Sequence, residues 1–253
     1  MIIDTHCHVY TSEMENAERV IMEALENDIC LILNGTDPKS NQEVLDLSSK
    51  YENVYAALGY FYTLADEISD ADILLLDNQL NNDKVVAVGE IGLDYYKGKG
   101  NKDKQIELFE KMLNLAEKHS LPVIVHSRKA MQDTYDILKE HNVVGSLHSY
   151  SGSSEMAEGF IKLGFHIGIG GTVTHKNNKK ARKMLSKIGA NHILIETDSP
   201  YLPPEEERGE QNTPLNIRYT IRKIAEELDI EEDEVIELTT KNAQGLFKIK
   251  KNI

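Results

Sequence analysis

Histidines and carboxylates recur in this chain at the ends of short apolar runs, a placement suited to holding divalent metal ions. The first run, Met1-Ile2-Ile3, leads into Asp4-Thr5-His6-Cys7-His8. In an extended strand successive side chains alternate faces, so His6 and His8 point one way and Cys7 the other. The run from Val85 leads to Glu90, that from Val123 to His126, and Ser146-Leu147 to His148. A last run from Ile193 leads to Glu196-Thr197-Asp198. Each has an ordinary explanation when taken alone: a hydrogen-bonded structural histidine, a surface acid, an aspartate forming a turn before Ser199-Pro200. Five separate strand tips carrying ligand-type side chains point instead to one shared pocket.

Four neutral imidazoles with two carboxylates suit one or two divalent transition metals. Six donors exceed what one tetrahedral ion with an open position requires. A carboxylate has two oxygens and can bridge, so a pair of ions about 3.5–4 Å apart is physically sensible. Such a pair lowers the pKa of a bridging water and clamps both attacking and leaving oxygens, which suits phosphate esters. Glu196 and Asp198 would share a face in an ideal strand, although strand ends often bend.

The elements that must position these residues read as alternating strands and helices. Apolar, β-branched runs cover Ile2–Asp4, Ile29–Asn34, Val54–Gly59, Val85–Glu90, Val123–His126, Val143–His148, Phe165–Gly170 and Ile193–Thr197. The stretches between them have helical apolar spacing, most clearly at Ile106, Phe109, Met112, Leu113 and Ala116. Strands alternating with helices imply parallel pairing and right-handed crossovers. Eight such units close naturally into a (β/α)8 TIM barrel with the metal site at the C-terminal ends of the strands. A doubly wound open sheet is the alternative, disfavoured because a closed ring lets five strand tips converge. No linker, low-complexity tract or repeat interrupts the chain, so residues 1–253 read as a single domain.

Composition narrows the class further. Of 253 residues, 40% are apolar and 28% charged, as in soluble globular proteins. No apolar run is long enough to span a membrane, and residues 1–15 lack the plan of a secretory signal. Two cysteines, Cys7 and Cys30, are too few for a disulfide framework and fit a reducing cytoplasm. The net charge of −14 argues against indiscriminate polyanion binding. Between Gly159 and Ile195, however, there is no acidic residue, while Lys162, Lys176, Lys179, Lys180, Arg182, Lys183 and Lys187 are all basic.

Several stretches together resemble the TatD family of metal-dependent hydrolases, in the amidohydrolase-like barrel class. They include DTHCH at Asp4–His8, GEIGLDYY at Gly89–Tyr96, LPVIVHSR at Leu121–Arg128 and HSYSG at His148–Gly152. GIGGTVT at Gly168–Thr174, ETDSPYLPP at Glu196–Pro204, RGEQNTP at Arg208–Pro214 and NAQGLF at Asn242–Phe247 extend the match along essentially the whole chain. The resemblance implies a two-metal barrel that hydrolyses phosphodiester bonds in nucleic acid, usually DNA, as an exonuclease-type deoxyribonuclease. It implies one divalent ion (Zn, Mg, Mn or Co) held by His6, His8, Glu90 and Asp198, and a second held by Glu90, His126 and His148. Glu90 would bridge, and Asp198 would orient or deprotonate the attacking water.

This chain departs from the family's Gly-x-His-Pro pattern after the third strand, carrying Gly59-Tyr60-Phe61-Tyr62 instead. Tyr60 and Tyr62 are candidates to stack on bases, or else pack under a loop. Arg128, Arg208 and Lys176 are candidates to contact phosphate. Lys176, Lys179, Lys180 and Lys183 recur at helical spacing and could share one helix face, solvated or phosphate-attracting. Gly170-Gly171 could bring backbone amides up to an anion. No protein partner or membrane is implied. Competing readings are hydrolysis of another ester or amide, and a metal-binding scaffold without turnover.

Overall fold

The computed structural model describes residues 1–98 and 101–249. Its eight strands are β1 (Ile2–Cys7), β2 (Ile29–Asn34), β3 (Val54–Leu58), β4 (Val85–Asp94), β5 (Val123–Arg128), β6 (Gly145–Leu147), β7 (Phe165–Ile169) and β8 (Ile193–Ile195). They pair in parallel in sequence order. The seam between β8 and β1 is bridged by Thr5 Oγ1 donating to the Ile195 carbonyl at 3.0 Å, and by the Asp198 amide donating to the His6 carbonyl at 2.9 Å. The result is a nearly closed (β/α)8 barrel.

Helices follow the strands: α1 (Ala17–Glu26), α2 (Pro38–Lys50), α3 (Asp70–Gln79), α4 (Lys102–His119), α5 (Met131–Lys139), α6 (Ser154–Lys162), α7 (Lys179–Ile188), α8 (Ile217–Leu228) and α9 (Glu232–Phe247). Their starts are written locally. Asp37 and Ser40 form a capping box ahead of Pro38, which has no amide proton to lose at the first helical position. Ser69 and Asp72 do the same for α3, and Ser153 and Asn178 cap α6 and α7.

Strand side chains divide between two apolar clusters. On β5, Val123 and Val125 join the outer cluster beneath the helices, while Ile124 joins a smaller one with Ile3, Ile32, Ala57, Val86 and Leu194. That smaller cluster includes Ala243, Leu246, Phe247 and Ile249, so the end of α9 packs on the barrel's interior residues. Thr240 Oγ1 donates to the Met1 carbonyl, and Asn242 donates to the carbonyls of Ala190 and Ile193. These contacts seat α9 at the N-terminal ends of β1 and β8. The polar strand tips lie at the opposite end.

Most strand limits shift by a few residues from the sequence expectation, and two of the shifts have visible causes. β4 runs on from Glu90 to Asp94 because residues 91–94 continue to pair with residues 125–128 of β5. β8 stops at Ile195 because Asp4 captures both the amide and the hydroxyl of Thr197, bending the chain toward β1. Among the described residues no helix is long and apolar enough to cross a membrane.

Candidate metal centre

The site begins with β1. Its pairing with β2 is irregular between Asp4 and Cys7, so Ile3 enters the inner cluster while Cys7 faces the outer one. His6 and His8 then point inward together, with Nε2 atoms 3.1 Å apart. The His8 amide donates to the Ser199 carbonyl, and the Asp198 amide donates to His6, which delivers the Asp198 carboxylate to the same place. Asp198 sits at φ 59, a left-handed conformation that aspartate tolerates better than most residues.

Four donor atoms form a tight group. His6 Nε2 and His8 Nε2 lie 3.6 and 3.4 Å from Glu90 Oε2, and each lies 3.5 Å from Asp198 Oδ1. Tetrahedral ligands bonded at about 2.1 Å stand about 3.4 Å apart. The spacing of this group therefore fits a transition-metal ion. The second Glu90 oxygen faces elsewhere: Oε1 is 3.1 Å from His126 Nδ1 and 3.8 Å from His148 Nε2. His148 Nε2 is also 3.8 Å from Asp198 Oδ1.

Outer contacts fix which imidazole nitrogen faces inward. His8 Nδ1–H donates to the Asn34 carbonyl at 2.8 Å, leaving Nε2 as the free lone pair. His148 Nδ1 lies 3.1 Å from Glu196 Oε1, and His126 Nε2 lies 3.4 Å from Asp94 Oδ2. Glu196 thus stands one layer behind His148, while Asp198 faces the donors; the bend after β8 separates them. Close backbone approach makes room. A Cβ on Gly92, at φ +132, would meet the His126 carbonyl oxygen at 2.1 Å, and one on Gly168 would meet Glu196 Oε2 at 2.5 Å.

The electrostatics favour positive charge at the centre. Burial opposes ionisation of Glu90, but His6, His126, His8 and His148 outweigh it and hold the carboxyl well below its usual range. Burial likewise opposes charge on Asp198, which His148, His6 and His8 hold low. Burial disfavours the protonated form of His148, yet Glu196 and Asp198 push it up to about 9. His8 and His126 are raised against burial, by Asp198 with Glu90 and by Asp94 with Glu90. His6 is lowered by burial and by the like charge of His148, whose ring centroid is 3.6 Å away. Anionic oxygens and imidazole lone pairs that converge here, buried except at the partly exposed His126, fit divalent cations.

The structure brings all six candidate ligands together. Of the substrate candidates, it brings only Arg128 to the cleft above them, a space of about 610 Å³. Tyr60 is a correction: it is 1% exposed and its hydroxyl donates to the Asp72 carbonyl at 2.7 Å, so no base can reach it. Tyr62 is corrected too, being 4% exposed with its ring stacked on His126 at 5.8 Å. Phe61 lines the cleft instead, its ring 5.1 Å from His126. Lys176 is exposed outside the cleft lining and precedes α7, since Asn178 caps the helix and starts it at Lys179; it shares no helix face with Lys183. Arg208 is exposed beside Glu205, at 3.5 Å, and does not line the cleft. Gly171 packs against Pro204, where a Cβ would come within 2.9 Å of its nitrogen, so close packing rather than anion approach explains it.

A family model described as TatD related DNase matches residues 3–248. The chain belongs to the TatD family. It is 35% identical to the uncharacterized metal-dependent hydrolase YabD of Bacillus subtilis, over 98% of this chain and all of that one. It is 33% identical to YjjV of Escherichia coli, also an uncharacterized metal-dependent hydrolase, over 98% of each. The crystal structure of YjjV superposes with a TM-score of 0.92 over 98% of both chains, at 32% identity. An organophosphorus hydrolase of Deinococcus radiodurans shares the fold alone, at 12% identity and a TM-score of 0.65. The TatD member described here is thus a metal-dependent hydrolase, and its histidine–carboxylate cluster fits divalent metal binding.

Asp94 and Asn34 were not singled out from sequence. Asp94 had a signal: on an extended strand it shares parity with Glu90, four residues earlier, while Ile91 and Leu93 face the helices. Asn34 acts through its backbone carbonyl, which no side-chain pattern reveals.

Proposed function

We propose that this TatD protein hydrolyses phosphodiester bonds in nucleic acid, acting on DNA ends or single strands. Two divalent ions, among Zn, Mg, Mn and Co, would be held by His6, His8, Glu90 and Asp198, and by Glu90, His126 and His148. The observation that carries this reading is Glu90, whose two oxygens face different histidine pairs. A carboxylate so placed suits a bridge between ions. When bound, such a pair supplies Lewis-acid charge to a diester and makes water a nucleophile at neutral pH.

The chain's own groups supply orientation and proton handling. Asp198, ionised among three imidazoles, accepts a hydrogen bond from the attacking water and takes its proton. The water oxygen forms the new P–O bond, the ester P–O bond breaks, and the leaving alkoxide takes a proton from solvent. Phe61 and Tyr62 shield His126 on one side, excluding water from that edge of the cleft. Buried free thiols at Cys7 and Cys30 suit a reducing cytoplasm.

Digestion of end-labelled single- and double-stranded DNA, with each metal supplied in turn and a chelator control, tests the reading. Metal-dependent, chelator-sensitive release of nucleotides is expected. No cleavage with any of the four metals overturns it.

A further inference from the structure

The two sides of the cleft differ in chemistry. Because β4 and β8 stand opposite each other in an eight-stranded ring, the segments after β4 and β5 face those after β8 and β1 across the metal cluster. The β4–β5 side contributes Lys97 and Arg128, the two lysine or arginine side chains that line the cleft among the described residues. The β8 side contributes Tyr201 and Leu202, large apolar side chains that remain 47% and 42% exposed.

Both cations are available to an anion. Among the described residues no carboxylate lies within salt-bridge distance of either, although Lys50, Lys118, Lys187 and Lys223 elsewhere on this acidic surface are paired. The Arg128 guanidinium carbon lies over the exposed ring of Tyr96, 4.2 Å from its centroid. A cation–ring contact of this kind restrains the guanidinium while its N–H donors remain available to a phosphate. Across the cleft, Tyr201 is also held: its hydroxyl donates to Glu13 and its ring sits 6.0 Å from His8. A ring with a tethered hydroxyl offers stacking area at little cost in side-chain entropy.

We infer that the cleft takes a strand end asymmetrically. Arg128 on Tyr96, with Lys97, grips one phosphate group flanking the scissile diester, and Tyr201 with Leu202 receives the nucleoside on the other side. The substrate class is a single-stranded end or short oligonucleotide bearing a phosphate next to the cleaved bond. Two cations line one rim, whereas the segment after β8 carries the acidic Glu205–Glu207, which disfavours the second backbone of a duplex. This inference rests on the phosphodiesterase reading above.

The test compares three thymidine dinucleotides with the metal-loaded full-length protein: unphosphorylated TpT, 5′-phosphorylated pTpT and 3′-phosphorylated TpTp. One phosphorylated form is expected to exceed TpT in kcat/KM by about tenfold or more, as for a charge-assisted contact. Arg128→Ala should collapse that ratio, Arg128→Lys should leave part of it, and Tyr96→Leu should raise KM while sparing kcat. Tyr201→Ala should raise KM for all three alike. Cleavage of TpT with no preference for either phosphorylated form, or a preference that survives in Arg128→Ala, overturns the subsite and spares the phosphodiesterase reading. If none of the three is cleaved while end-labelled DNA is digested, the subsite falls and the phosphodiesterase reading stands; if DNA is not digested either, both fall.

Discussion

Glu90 and His126 meet across the β4–β5 seam, with Oε1 and Nδ1 3.1 Å apart, while the other Glu90 oxygen stays 3.4 Å from His8 Nε2. One carboxylate therefore joins two histidine groups that come from opposite parts of the chain.

Glu90→Gln keeps the shape of that side chain and removes its charge and one of its two acceptors. Metal content, measured by elemental analysis after gel filtration, is expected to fall, and hydrolysis to fall by more than about 100-fold, beyond what outer partners cost. Full metal content with full activity would end the bridging reading.

Glu196→Gln and Asp94→Asn leave every inward-facing donor atom in place. Each weakens the polarisation of one imidazole, His148 or His126. Metal affinity measured by calorimetric titration is expected to drop about 10–100-fold in each, with the circular dichroism spectrum unchanged. Unaltered affinity would show that these carboxylates serve only to pack.

Gly92→Ala forces a methyl group toward the His126 carbonyl oxygen, 2.1 Å from the ideal Cβ, at a backbone conformation that alanine avoids. The backbone must shift at the one point where β4 supplies Glu90 and Asp94. A loss of about 2 kcal/mol or more is expected by urea unfolding, together with weaker metal binding. A variant as stable as the parent would mean the seam is looser than described.

His166 lies on β7 near His192, and burial with that neighbour lowers its pKa below the ordinary histidine value of 6.5. Its buried Nδ1 has no hydrogen-bond partner among the described residues, so protonation there would add a stranded donor. The unfolded chain takes up this proton first as pH falls. Stability is therefore lost progressively below pH about 6.5, down to the lowered folded value, and regained as pH rises. In chelator-treated protein, His166→Gln should flatten the fall in thermal midpoint between pH about 7 and 5 relative to the parent. An identical fall in both would exclude His166 as its source.

Much of this architecture can be read from residue order alone. Apolar runs with ligand-type residues at their tips reveal the strands, and the parity of His6 with His8 is visible in two-residue spacing. What escapes is set by tertiary contact. The hydrogen bonds of Asp4 to Thr197 decide where β8 ends, and hence that Asp198 faces the donors while Glu196 supports His148. Tyr60 illustrates the same point in reverse: a residue type suited to stacking is turned toward α3, where the Asp72 carbonyl holds its hydroxyl. The basic run after β7 reads as a helix face, yet a single cap at Asn178 leaves Lys176 outside it.

The backbone hydrogen bonds between His6 and Asp198, and between His8 and Ser199, tie the strand that opens the barrel to the segment after the strand that closes it. A nascent chain to which Asp198 has not yet been added cannot hold its four-donor group together. Chains that stop before it would consequently carry an incomplete donor group, and loading of that group must wait for the segment after the closing strand.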